Sequence, residues 1–150
     1  MIGTIELFKA LGDETRLRLV NLFLRTDDDI CVCEMVDALA LPQYQISKHL
    51  AILKNAGLLQ AKRRGTWVYY RLDHEESSFL RDFFKVLSRH LEQERFANDA
   101  EKLLHRMALR EEGKCIVGFV SVAEITRDLR QRKVKKNAKF KKTRHLHLHP

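Results

Sequence analysis

The chain has no apolar run close to the ~20 residues that a membrane-spanning helix requires, and its first residues lack the charged-then-apolar order of a secretory signal. These absences predict a cytoplasmic protein with no membrane partner. In that compartment thiols stay reduced, so three cysteines among 150 residues serve burial or chemistry, not a disulfide framework. The sequence has no CxxC pair, no glycine-rich phosphate loop and no Cys/His/Asp set arranged for turnover. That argues against an enzyme, a thiol oxidoreductase or metalloid reductase included, and against a catalytic cofactor. Internal repeats are also missing. The length suits one compact domain and is short for two. A hydrophobic share of 45% with 32% charged residues fits a helix-rich globular fold.

The net charge of +8 is unevenly distributed. Residues 127–150 carry +9, with Asp128 their single acid, so the remaining 126 residues sum to −1. A high isoelectric point is therefore a property of the tail. Within the body, residues 43–71 contain Lys48, Lys54, Lys62, Arg63, Arg64 and Arg71 and no acid, whereas residues 27–37 hold five acids and no base. A basic stripe inside a neutral domain points to nucleic acid more specifically than the total does.

Periodicity and punctuation predict the elements. Residues 4–12 form a helix with Thr4 as N-cap and Gly12 at its end. Asp13 caps a second helix with Leu17, Val20, Leu22 and Phe23 near one face and arginines opposite. TDDD breaks that pattern, and a short third helix runs over 33–40 with Met35, Val36 and Leu39 inward. Leu41-Pro42 interrupts the chain before a fourth helix at 43–56, with Ile46, Leu50 and Leu53 on one face and Gly57 as its stop. The β-formers on either side of an Arg-Gly pair predict a hairpin with a basic tip at 62–65. Residues 75–109 read as one long amphipathic helix, with a break placed near Asn98-Asp99. Its apolar face lacks an equally long partner within the chain, which predicts a homodimer. A strand over 114–122 and a helical fragment from 123 would follow.

A short helix, a tight break, a helix with a polar face and a basic hairpin form the winged helix-turn-helix arrangement, a mainly α fold with a β-hairpin. On this reading residues 1–110 are the DNA-binding and dimerisation domain, residues 111–126 a segment carrying Cys115, and residues 127–150 a basic, disordered tail. Gln43 and Gln45 suit paired hydrogen bonds to adenine; Ser47, Lys48 and His49 reach bases or phosphates. Lys62, Arg63 and Arg64 track the backbone or the minor groove. A dimer would present two such units to a two-fold-symmetric operator. A solvated polar face on a protein-binding domain is the blander alternative, as is an architectural DNA binder relying on the tail.

Cys31 and Cys33 are too close in sequence for an easy mutual disulfide. Two residues apart inside a helix, they would point about 200° away from each other. They converge on one ion only if Cys31 precedes the helix start, where the TDDD break places the boundary. Thiolates suit arsenic(III), antimony(III), cadmium, lead or zinc better than hard cations. Two buried small residues remain the alternative.

ELFKALGDETRLRLVNLF, ICVCEMVDALALPQYQISKHLAILKNAGLL and RRGTWVYYRL, in that order, resemble the ArsR/SmtB family of metal-responsive repressors from residue 5 to about 95. The resemblance implies a dimeric winged helix repressor that leaves its operator when a soft metal or metalloid binds, most specifically arsenite or antimonite. A cadmium/lead sensor and a persulfide- or redox-sensing repressor share that fold. ICVCE resembles the family's metalloid-binding motif, with two departures. The family's third cysteine position is Val36 here, and residues 1–30 hold no cysteine. Cys115 is the remaining thiol able to complete a three-sulfur site, from the same subunit or a dimer mate; otherwise it is a buried core thiol. The family's long-helix metal pattern is missing, since eleven residues before His90 and His105 stand Phe79 and Glu94. His145, His147 and His149 belong to the tail.

Overall fold

Asp13 does what a residue between two helices is placed to do. In the computed structural model, which describes residues 3–73, 77–115, 127, 130 and 131, its side chain accepts the Arg16 backbone N–H at 3.1 Å. It thereby separates α1 (Thr4–Leu11) from α2 (Glu14–Leu24). Gly3, not Thr4, is the N-cap of α1, and Gly12 sits at φ −77°, where no glycine is required. Burial pushes the Asp13 carboxyl up, but the Arg16 N–H and guanidinium outweigh it and leave the group below the ordinary range. Its contribution is therefore complete above the unfolded value of about 3.9 and is lost as pH falls through the depressed folded value. Asp13→Ala is expected to lower stability by about 1 kcal/mol at neutral pH in urea unfolding, with the difference closing in acid.

The chain then forms β1 (Ile30–Cys31), α3 (Val32–Leu39) and α4 (Gln43–Asn55), followed by β2 (Leu59–Arg64), β3 (Trp67–Leu72), α5 (Ser78–His90) and α6 (Glu94–Met107). Ala40 in the left-handed region and Pro42 at the next N-cap turn the chain between α3 and α4. Gly57 at φ 83° ends α4. In the two-residue hairpin turn only Gly65 has positive φ, at 64°, which is the pattern of a type II′ turn and matches the strand twist. The sheet order is β1-β3-β2, all antiparallel. The short β1 was not anticipated; it pairs Ile30 with Tyr70 and Cys31 with Tyr69.

One apolar cluster joins the helices. Leu7, Leu19, Leu22, Met35, Ile46, Leu50, Leu53 and Leu103 are fully enclosed in it, while Val36 is half-buried. The arrangement is a winged helix-turn-helix, with α3 and α4 as the paired helices and β2–β3 as the wing.

The long C-terminal helix is two helices, and the break falls at 91–93 instead of near Asn98-Asp99. Polar residues of α2 and its C-cap hold that break. Arg25 Nη2 donates to the Leu91 carbonyl at 2.7 Å, and the buried Asn21 side chain donates to the Phe96 carbonyl at 3.0 Å. Arg18, expected on an outward face, pairs with buried Asp99 at 2.7 Å. Thus α6 finds its partners, α2 and α3, within the chain. Among the described residues, large apolar side chains left outside these helices are Ile5 and Phe8 of α1, Phe79 and Val86 of α5, and Leu104 of α6, each more than half exposed. Phe83 links α1 and α5, with its ring 5.9 Å from Phe8 and 6.0 Å from Phe79. Among the described residues no helix is long and apolar enough to cross a membrane. The expected strand beyond residue 115, the helical fragment from 123 and all but three residues of the tail lie outside the described residues.

Candidate thiol centre and nucleic-acid interface

Cys31 is the N-cap of α3, with extended backbone at φ −86° and ψ 159°, and Cys33 lies in the helix's first turn. The change from strand to helix between them removes the divergence that a continuous helix would impose. Their sulfurs approach to 2.8 Å, and the Cys115 sulfur lies 3.2 Å from that of Cys33. A turn after α6 returns the chain to this point: Glu111 and Lys114 bond reciprocally, with Glu112 and Gly113 both at positive φ. All three thiols come from one chain, each at most 2% exposed, with their sulfurs within 4.8 Å of one another. Among the described residues they form the only such grouping of His, Cys, Asp or Glu side chains. Together with Tyr69 and half-buried Trp67 they make a small cluster separate from the main core.

Charge around the centre is balanced in pairs. Glu34 accepts the Cys31 backbone N–H at 3.0 Å and is gripped by Arg110, whose Nε lies 2.7 Å from Oε2. Arg106, 1% exposed, donates to Asp37 at 2.7 Å and to the Cys33 sulfur at 3.7 Å. The acids beside the cysteines are thus offset by two arginines from the far end of the chain. The thiols titrate as one unit. Hydrogen bonds from Cys31 and then Cys33 hold the Cys115 sulfur well below the ordinary thiol range, against the cost of burial and helped by Arg106. The same bonds to Cys115 push Cys31 and Cys33 upward. Three soft donors, the members of this grouping among the described residues, suit a three-coordinate thiophilic centre.

On α4, Gln43, Tyr44, Ser47 and Lys48 are exposed, and Gln45 is half-buried. His49 does not share that surface. It is 8% exposed, with Nδ1 3.3 Å from Arg16 Nη1 and 3.8 Å from Asp13. Arg16 in turn donates to the Ala10 carbonyl at 2.6 Å. His49 therefore seats α4 on the α1–α2 corner, because it follows Gln45 by four residues on the inner flank. Tyr44, 76% exposed, stands beside Gln43 on the same surface, although an aromatic in a helix reads first as core.

In the wing, Lys62 and Arg63 are exposed. Arg64 is tethered: Nη2 pairs with Asp29 at 2.8 Å, and its guanidinium lies 5.0 Å from the Tyr69 ring centroid. Arg106, Arg110 and Tyr69 were not singled out, since each meets the thiols only through the fold.

The family profile described as bacterial regulatory protein, arsR family, matches residues 13–61. The arsenic resistance transcriptional regulator ArsR2 of Pseudomonas putida is 43% identical over 86 residues, 57% of this chain and 74% of that protein. The regulator ArsR1 of the same organism is 52% identical over 68 residues, 45% of this chain; the match spans about half of that relative, 52% of its length. Among solved structures, reduced HlyU from Vibrio cholerae superposes with a TM-score of 0.52 at 29% identity, covering 59% of this chain and 88% of that one.

Proposed function

The chain belongs to the ArsR family of bacterial regulatory proteins, and on that premise we propose that it is an operator-binding repressor released from DNA by arsenite or antimonite. The observation that carries this reading is the convergence of Cys31, Cys33 and Cys115 within 4.8 Å. A trivalent metalloid accepts three soft sulfurs, which is the donor set the chain supplies. Names given to the Pseudomonas putida relatives point the same way.

The centre lies where it can influence DNA binding. Cys31 and Cys33 begin α3, and α3 packs against α4 through the buried cluster. Seating a metalloid among the three sulfurs shifts the entrance of α3 and, through it, the seating of α4. Gln43, Tyr44, Ser47 and Lys48 of α4 meet the major groove, Gln45 flanks them, and Lys62, Arg63 and Arg64 meet the backbone. His49 acts from beneath, as support. The exposed apolar side chains of α1 and α5 are the surface for a second copy, whose two-fold axis matches a symmetric operator.

The test is an operator titration with arsenite, antimonite, cadmium, lead and zinc. Arsenite is expected to weaken operator binding about 5–150-fold, and DNA to weaken arsenite binding by the same factor. An unchanged operator affinity at saturating arsenite and antimonite would falsify the reading. In the same assay, Arg63→Ala should weaken all DNA sequences alike and reduce the salt slope by about 0.9. A loss confined to the operator would move Arg63 from backbone to base contacts.

A further inference from the structure

The thiol centre touches the wing as well as α3. Tyr69 lies in the middle of β3, 2% exposed, opposite Cys31 of β1 on one side and Lys62 of β2 on the other. Its hydroxyl oxygen accepts the Cys115 backbone N–H at 2.9 Å. Two guanidiniums approach its ring, Arg64 at 5.0 Å and Arg110 at 5.6 Å from the centroid. Asp29 closes the circuit, its carboxylate paired with Arg64 at 2.8 Å and its carbonyl accepting from Arg110 at 2.6 Å. Arg110 holds Glu34, and Glu34 holds the Cys31 N–H.

Taking the thiol centre as the inducer site, we infer that Tyr69 is a positioning residue that transmits its occupancy to Arg64 at the wing. Cys115 is the sulfur whose backbone is tied to the wing strand. When its side chain closes onto a shared atom, its N–H either carries the Tyr69 hydroxyl along or lets it go. Tyr69 is enclosed, so a shift of its ring changes the surface on which Arg64 rests. Arg64 ends β2 beside the hairpin turn, where a change in guanidinium position alters a phosphate contact. The wing thereby has its own connection to the thiols, parallel to the route through α3 and α4.

The relay is tested with Tyr69→Phe, which keeps the ring and removes the acceptor. Operator anisotropy with and without arsenite gives the release factor, and the emission of Trp67, the single tryptophan, follows arsenite binding at the adjacent cluster. Arsenite affinity should stay within about threefold of wild type while the release factor falls at least about fivefold. An unchanged release factor overturns the relay, as does a loss of arsenite affinity that accounts for the whole effect. Arg64→Ala reads the same relay from its other end. It should weaken operator binding and lower the release factor, and Tyr69→Phe on that background should change the release factor no further. Additive effects exclude a path through Arg64. If wild-type protein shows neither a Trp67 response nor release, the inducer reading itself fails, and the relay with it.

Discussion

Cys115→Ser is expected to bind operator as wild type does and to remain bound at arsenite concentrations that release the wild-type protein. Three features set this apart from a general defect. Cys115 follows α6 and belongs to the small cluster with Tyr69 and Trp67, outside the core that seats α3 and α4. A serine hydroxyl fits its space and is a hard, neutral donor where a thiolate is needed. Its sulfur is also held below the ordinary thiol range by Cys31, Cys33 and Arg106, so the substitution removes a donor from the coupled set. Arsenite affinity should drop at least about 100-fold, because loss of even an outer-shell partner of a metal ligand costs 10–100-fold. Isothermal titration gives the affinity and anisotropy gives the release. Retention of both would leave Cys31 and Cys33 as a two-sulfur site and make Cys115 a packing residue.

Why Cys31 and Cys33 were legible while their surroundings were not follows from the range of the interactions. The aspartates of TDDD end one helical pattern just ahead of the pair, so local sequence alone placed a boundary there. The same holds for Asp13 as a cap, Pro42 and Gly57 as breaks, and Ile46, Leu50 and Leu53 as a buried stripe. Failure begins where a residue's role is assigned by a distant one. The break at 91–93 depends on Arg25 and Asn21 reaching backbone groups more than sixty residues away. Nothing in the periodicity of 75–109 marks it. His49 repeats the polar character of its neighbours, yet Arg16 and Asp13 draw it inward. Cys115 was a candidate ligand because the chain has few thiols; its delivery from the same chain required the reversing turn at 111–114. Charge counting goes no further than the run of five acids at 27–37; that Glu34 and Asp37 within it are buried partners of Arg110 and Arg106 is set by the fold.

That last pairing carries the largest expected effect on stability. Arg106 is 1% exposed and the Asp37 side chain 7%, with Nε and Oδ2 2.7 Å apart, and the pair joins α6 to α3. Arg106→Met removes the guanidinium that faces this enclosed carboxylate. A cost of about 3–5 kcal/mol is expected in urea unfolding, the range for removing one partner of a buried ion pair. Arg106→Met with Asp37→Leu should recover most of it, since two apolar side chains bring no charge to desolvate. Equal losses in the single and double variants would mean that α6 is held by shape and not by charge. Recovery of stability should not recover the thiols. Arg106 also reaches the Cys33 sulfur at 3.7 Å and helps hold the Cys115 thiol down. In the stable double variant the centre's first thiol should therefore ionise at higher pH, seen in thiolate ultraviolet absorbance, and capture arsenite more slowly at neutral pH. A double variant with wild-type stability and a wild-type thiol titration would confine Arg106 to packing. A shifted titration in a fully stable protein would make the same guanidinium both a brace for α6 and an electrostatic partner of the sulfur centre.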